Sequence, residues 1–67
     1  MSVAKVIEIT STSDDGFEDA IEKGIAKAGE TIKGIKGAWI SEQKVEVNSE
    51  GKVEHYLVNM RLTFVLD

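Results

Sequence analysis

The chain has no cysteine, no proline and a single histidine among its 67 residues. Without cysteine no disulfide can form, and a zinc site built from cysteine and histidine is nearly excluded, so the usual staples of small domains are missing. A chain this short also buries little surface when it folds alone. We therefore expect a single domain over residues 1–67 that gains stability by assembling with copies of itself.

Positive charge is also scarce, with 12 acidic residues against 8 basic ones and a net charge of -4. The lysines are scattered, and the lack of a basic cluster disfavours a phosphate backbone, and hence nucleic acid, as a partner. No apolar run approaches the ~18 residues of a membrane span, and the N-terminus lacks the pattern of a signal peptide. These features predict a soluble cytoplasmic protein with no nucleic-acid or membrane partner.

Three segments carry the alternation of apolar and polar residues that predicts β-strands. The first covers residues 3–10 and the second covers residues 38–47, where Trp39 and Gln43 are expected on the same face. Residues 48–51 have the composition of a type I turn, which joins the second strand to the third. One face of that third strand is apolar without interruption: Tyr56, Val58, Met60, Leu62, Phe64 and Leu66.

Between the first two strands, apolar residues recur three or four positions apart, which predicts one helix of about twenty residues. Thr12 or Ser13 is expected to cap the start of this helix, and Gly34 or Gly37 is expected to end it. The apolar stripe consists of Phe17, Ile21, Ile25, Ala28, Ile32 and Ile35.

Gly24 and Gly29 fall inside the predicted helix, where each weakens it by about 0.5–1 kcal/mol relative to alanine. We interpret them as places where another backbone or a neighbouring subunit approaches closely.

The lengths of the elements bear on assembly. A helix of twenty residues spans about 30 Å, whereas a third strand of fourteen residues spans about 46 Å. The predicted fold is α+β in the order strand-helix-strand-strand, with an antiparallel three-stranded sheet wrapped round one helix. Part of the sheet is left uncovered for neighbouring subunits.

Short stretches spread over nearly the whole chain carry a resemblance to a known family. They are Lys5-Val6-Ile7-Glu8, Thr12-Ser13, Gly16-Phe17-Glu18, Glu42-Gln43, Gly51-Lys52-Val53, His55-Tyr56 with Val58, and Thr63-Phe64-Val65-Leu66. In this order and spacing the chain resembles a dodecin. The resemblance implies a dodecin-like fold, a hollow homododecamer, and binding of a flavin (riboflavin, FMN or FAD) for storage or sequestration, without catalysis.

The resemblance also implies where the flavin is held. Flavin-binding dodecins carry a stacking tryptophan five residues before the glutamate of the Glu-Gln pair, and that position is Gly37 here. Trp39 lies two residues later, on the same predicted strand face and about 6.6 Å further along the strand. Leu57 takes the place of a glutamine that hydrogen-bonds to the flavin ring. With Gln43, these residues form the candidate cofactor-binding set.

Three features have alternative interpretations. Trp39 is either a flavin platform or an aromatic residue packed between subunits, and the second is favoured. His55 has no second histidine or cysteine beside it and is interpreted as a surface or interface residue. The four acidic residues between Asp14 and Asp19 complement the helix dipole and lack the spacing of a calcium loop.

Some dodecins that lack the tryptophan are regarded as calcium binders. The alternative function is therefore a non-flavin dodecin cage that holds calcium or another small ligand. No residue is assigned a catalytic or metal-binding role.

Overall fold

The computed structural model describes residues 3–66, which form four elements in the predicted order. A first strand, β1 (Val3–Ser13), is followed by a helix, α1 (Phe17–Gly29), and by two further strands, β2 (Ile35–Val47) and β3 (Val53–Leu66). Both strand pairs are antiparallel, with β3 in the centre and β1 and β2 at the edges. The predicted α+β fold is confirmed.

The core lies between α1 and the central strand, as the uninterrupted apolar face of β3 predicts. Val58, Met60 and Leu62 of β3 are fully buried together with Ala20 of α1. Removing three such side chains from water stabilises the chain by about 1.5–3 kcal/mol each. The partly buried residues that surround this core are Ile7, Ile9, Phe17, Ile21, Ile25, Ala28, Ile35 and Ala38.

The predicted turn between β2 and β3 is confirmed. The Asn48 carbonyl accepts the Gly51 N–H at 3.0 Å, and the Asn48 side-chain oxygen accepts the N–H groups of Glu50 and Lys52 at 2.9 and 3.1 Å. One asparagine therefore satisfies most of the backbone donors of the turn, which is why asparagine favours this position.

The helix is shorter than predicted, with 13 residues instead of about twenty. It ends at Gly29, and Ile35, the last residue of the predicted stripe, belongs to β2 and packs on the same core from the sheet. Gly34 has a positive φ of 80° in the connecting loop, where its carbonyl accepts the Val65 N–H at 3.1 Å. Gly37 lies within β2, so the prediction that either glycine ends the helix is wrong. At this length α1 cannot cross a membrane, and residues 3–66 contain no other helix.

The helix also begins without the predicted cap. β1 continues to Ser13, so Thr12 and Ser13 lie in a strand, and the N-cap residue is a glycine with no side-chain cap bond. The Ser13 hydroxyl instead accepts the Asp15 N–H at 2.9 Å and donates to Asp19 Oδ2 at 2.5 Å. Lys23 Nζ lies 2.9 Å from the same Asp19 oxygen. The Ser13 hydroxyl, and then Lys23, lower the pKa of Asp19.

Gly24 confirms the prediction of a close approach. It is buried, and a Cβ atom placed on it would lie 2.5 Å from Met60 Cε and 2.9 Å from Ser11 Cβ. Gly29 does not confirm it, because a Cβ atom there would meet no atom within 4 Å. Of these two glycines, Gly24 alone makes a close contact within the described chain, and approach of a neighbouring subunit at Gly29 stays a prediction.

A bulge at Ser41 interrupts the alternation of β2. Upstream of it, Trp39 pairs with Arg61 and faces away from the helix; downstream, Gln43 pairs with the buried Val58 and lies on the helix side. The prediction that Trp39 and Gln43 share a face is wrong, because one extra residue inverts every side chain beyond it.

The helix covers only part of the sheet, as the lengths predict. α1 spans about 20 Å, whereas the longest dimension of the molecule is 53 Å. The helix packs on β1 and β3, so apolar residues on the helix side of β2 remain accessible. Ile40 and Val45 are 37% and 39% exposed there.

Candidate functional site

The side of the sheet that faces away from α1 is uncovered, and we call it the open face. It carries an indole, carboxylates, amines and hydroxyls side by side, so it offers both stacking and hydrogen bonding to a ligand. Its members are Val6, Glu8, Thr10 and Thr12 of β1, Gly37, Trp39, Glu42, Lys44 and Glu46 of β2, and His55, Leu57, Asn59, Arg61 and Thr63 of β3.

Trp39 is the largest apolar group on the open face and is 63% exposed. The Arg61 guanidinium carbon lies 5.8 Å from the centre of its indole ring. A cation at this distance is attracted by the electron-rich face of the ring. Gly37, two residues upstream, adds no side chain and has no atom within 4 Å of the place a Cβ would take. The indole therefore borders open space along its own strand.

A polar ladder crosses all three strands further along the open face. The Thr10 hydroxyl donates to Asn59 Oδ1 at 2.7 Å, and the Asn59 amide donates to Glu42 Oε1 at 3.1 Å. The ladder borders an open depression of ≈ 330 Å³ that Leu57 and Lys44 also line. Because each ladder oxygen has a spare lone pair, the depression presents acceptors to a ligand or cation.

The structure brings together only part of the predicted cofactor set. Gly37, Trp39 and Leu57 all lie on the open face, but Leu57 is four residues from Arg61 on β3, which places it about 13 Å from the indole along the strand. Gln43 lies on the opposite side of the sheet, where it is exposed. One copy of the chain therefore does not enclose a flavin with these four residues.

His55 forms a bond that links β3 to the loop before α1. Its Nδ1 lies 2.8 Å from Asp14 Oδ1 at an exposed position. The Asp14 carboxylate raises the pKa of His55, and Glu54 and Glu46 add smaller contributions in the same direction. Residues 3–66 contain no group of three His, Cys, Asp or Glu side chains placed to hold a metal ion.

We expect this bond to make stability depend on pH in one direction. Because the pKa of His55 is raised from 6.5, its stabilisation is fully present below 6.5 and is lost as the pH rises through the raised value. The unfolding midpoint of the native protein should fall over this range relative to that of Asp14→Asn, as measured by circular dichroism. Glu50→Gln, in the distant turn, should keep the native pH profile. An unchanged profile in Asp14→Asn would contradict the assignment.

Arg61, Asn59 and Thr10 are site residues that the sequence does not reveal. Each is an ordinary polar residue in a strand, and its role depends on what lies opposite in the neighbouring strand. Counted from the turn, Asn59 already pairs with Glu42, whereas the pairing of Arg61 with Trp39 follows from the bulge at Ser41. The sequence offers one signal, which is that Asn59 and Arg61 share a predicted face of the third strand with the candidate residue Leu57.

Comparison with known proteins gives a consistent result. The Dodecin family model matches residues 3–67. The calcium dodecin of Mycobacterium tuberculosis is 34% identical over 64 residues, covering 96% of this chain and 89% of its own length. A dodecin from Streptomyces davaonensis superposes with a TM-score of 0.92 at 30% identity, covering 98% of this chain and 96% of the other.

The crystal structure of the mycobacterial calcium dodecin, described as calcium-chelating with a novel calcium-binding site, has a TM-score of 0.84 at 32% identity. It covers 98% of this chain and 93% of its own.

The fold and its open face define a small α+β protein that presents a ligand-accessible sheet surface beside a single packed helix. The matching residues extend over nearly the whole chain, and the chain belongs to the dodecin family.

Proposed function

We propose that the chain stores or sequesters a flavin in a hollow homododecamer, with Trp39 as the stacking platform. The observation that carries this proposal is the 63% exposure of the one tryptophan of the chain on the open face. An indole left in water is unfavourable unless a partner covers it, and aromatic rings gain about 0.5–1.5 kcal/mol from offset stacking beyond their buried area. The isoalloxazine ring of a flavin is a partner of this kind.

Assembly is supported by the apolar surface that a single chain leaves accessible. Besides Trp39, the side chains of Val47, Val53 and Val3 are 54%, 46% and 60% exposed. Because only four apolar residues of the described range 3–66 are fully buried, a chain of this size needs further burial to be stable. Neighbouring copies supply it, and they also complete a flavin pocket that one copy leaves open at Leu57 and Gln43.

The flavin is held, on this proposal, without chemical turnover. The one histidine of the chain bonds to a carboxylate, Asp14, and not to a hydroxyl that it could activate as a nucleophile. Trp39 and Leu57 offer contact surface to the ring, and neither side chain transfers protons.

A calcium cage is the second candidate. It is supported by the calcium dodecin relative and by the oxygens of the ladder, where Thr10, Asn59 and Glu42 border one depression. Calcium takes six to eight oxygen ligands, so carboxylates from several copies would have to meet. Lys44 lines the same depression, and its positive charge disfavours calcium binding there.

The two candidates are separated by one set of measurements on purified, ligand-free protein. Light scattering should give about twelve times 7.3 kDa, and riboflavin should titrate to saturation with quenching of its fluorescence. Calcium added alone should produce no heat in a calorimeter if flavin storage is correct. Calcium binding without any flavin quenching would favour the cage, and a monomer or dimer would contradict both.

A further inference from the structure

Arg61 is a charged residue of the candidate site that forms no ion pair with a carboxylate of residues 3–66. The ion pairs formed within residues 3–66 involve Lys23, Lys27 and His55. Arg61 is exposed and lies against the indole instead. Its guanidinium therefore keeps its five N–H donors available while it lies over one face of the indole, and the 63% exposure of Trp39 leaves room for a ring on the other face.

We propose that Arg61 makes the Trp39 site select planar aromatic ligands that carry a negative charge, so that a flavin phosphate ester binds more tightly than uncharged riboflavin. This inference rests on the proposed function and adds a specificity to it. A guanidinium fork matches a phosphate in two parallel hydrogen bonds. A ring stacked on the indole places its charged substituent within reach of that fork.

The charges around Arg61 set the size of the effect. Glu8 is its pairing partner on β1 and opposes an anion, although the guanidinium lies on Trp39. Lys44, a second basic residue of the open face, is paired with Leu57 about 13 Å away along the sheet. An exposed ion pair contributes modestly. We therefore expect FMN to bind about two- to fivefold more tightly than riboflavin at low salt.

The test uses the single tryptophan as its own reporter. Quenching of Trp39 fluorescence in the assembled native protein is titrated with riboflavin and with FMN, and then repeated with three variants. Arg61→Gln should bind both flavins equally. Lys44→Gln removes the same charge from the same face and should keep the preference for FMN. Glu8→Gln should increase that preference. Salt near 1 M, where screening acts within about 3 Å, should reduce it.

Equal affinities of the native protein for the two flavins would overturn the inference, as would a preference for FMN that survives in Arg61→Gln. Failure of the proposed function has a different signature, in which neither flavin quenches Trp39. In that event naphthalene-2-sulfonate is compared with naphthalene-2-sulfonamide. Tighter binding of the sulfonate that is lost in Arg61→Gln supports the selection of anions, and any other result overturns it.

Discussion

Replacing Trp39 by alanine is expected to abolish the proposed saturable binding of riboflavin while the proposed dodecamer persists. The platform then loses both the stacking and the buried area of one indole, which corresponds to at least about a tenfold loss of affinity. Because Trp39 is 63% exposed within the chain, its removal opens no cavity in the subunit core. The free energy of unfolding of the subunit itself should change by no more than about 0.5 kcal/mol.

The competing interpretation, in which Trp39 packs between subunits, predicts that Trp39→Ala loses the assembly first. A buried interface indole leaves a cavity that costs about 3–5 kcal/mol on truncation, so Trp39→Ala would dissociate into smaller species. Light scattering and flavin titration of the same sample distinguish the two. Trp39→Phe is the matched control, since it keeps a ring for stacking and should retain part of the affinity. Loss of the assembly in Trp39→Ala would show that the residue packs between subunits.

Replacing Gly24 by leucine is expected to cause the largest loss of subunit stability. Even the first side-chain atom would overlap Met60 Cε and Ser11 Cβ, at 2.5 and 2.9 Å. The methionine end can move, but Ser11 Cβ is fixed to the backbone of β1, so the helix must shift from the sheet. Overpacking of this kind costs about 1–3 kcal/mol, which exceeds the gain of about 0.5–1 kcal/mol from replacing a helical glycine.

Gly29→Leu is the matched control for this experiment. It introduces the same side chain into the same helix, at a position with no atom within 4 Å of the new Cβ. Urea unfolding should show a marked loss of stability for Gly24→Leu and little change for Gly29→Leu. If both variants lose equal stability, a neighbouring subunit approaches Gly29 as well. If neither does, the contact of Gly24 with the sheet is not required.

The elements that the sequence predicts best are those whose pattern arises within one segment. β3 is apolar at every second position on the helix side of the sheet, where Val58, Met60 and Leu62 pack in the core. Asn48 and Gly51 are three residues apart and hydrogen-bond to each other. Local rules are sufficient in both cases.

The end of the helix could not be predicted because two elements share one core. Ile35 continues the helical spacing although it lies in β2, since a residue that packs on the core from the sheet satisfies the same apolar pattern. The absence of a side-chain cap at the start of α1 has a related reason. Ser13 matches the capping preference, but its hydroxyl bonds to Asp15 and Asp19 from the end of β1.

The sequence predicts individual residues of the candidate site but does not predict how they are arranged on the sheet. The shared face of Gly37 and Trp39 follows from their spacing of two, and the structure places both on the open face. The position of Gln43 on the other side depends on the bulge at Ser41, and so does the contact of Arg61 with the indole. No residue type in the sequence marks the bulge at Ser41, so the alternation of apolar and polar residues alone places Gln43 on the wrong face.

The strand order β1-β3-β2 has a consequence for how the chain folds. β2 and β3 are joined by a short turn and can pair early, because closing a small loop loses little chain entropy. β1 pairs with β3 from Val3 opposite Leu66 to Ser13 opposite Tyr56, so its docking closes a loop of nearly the whole described chain. Non-local pairing of this kind slows folding. We therefore expect the β2–β3 hairpin to form first. Its strand β3 then stays unpaired along one edge until β1 docks, although β1 is synthesised earlier.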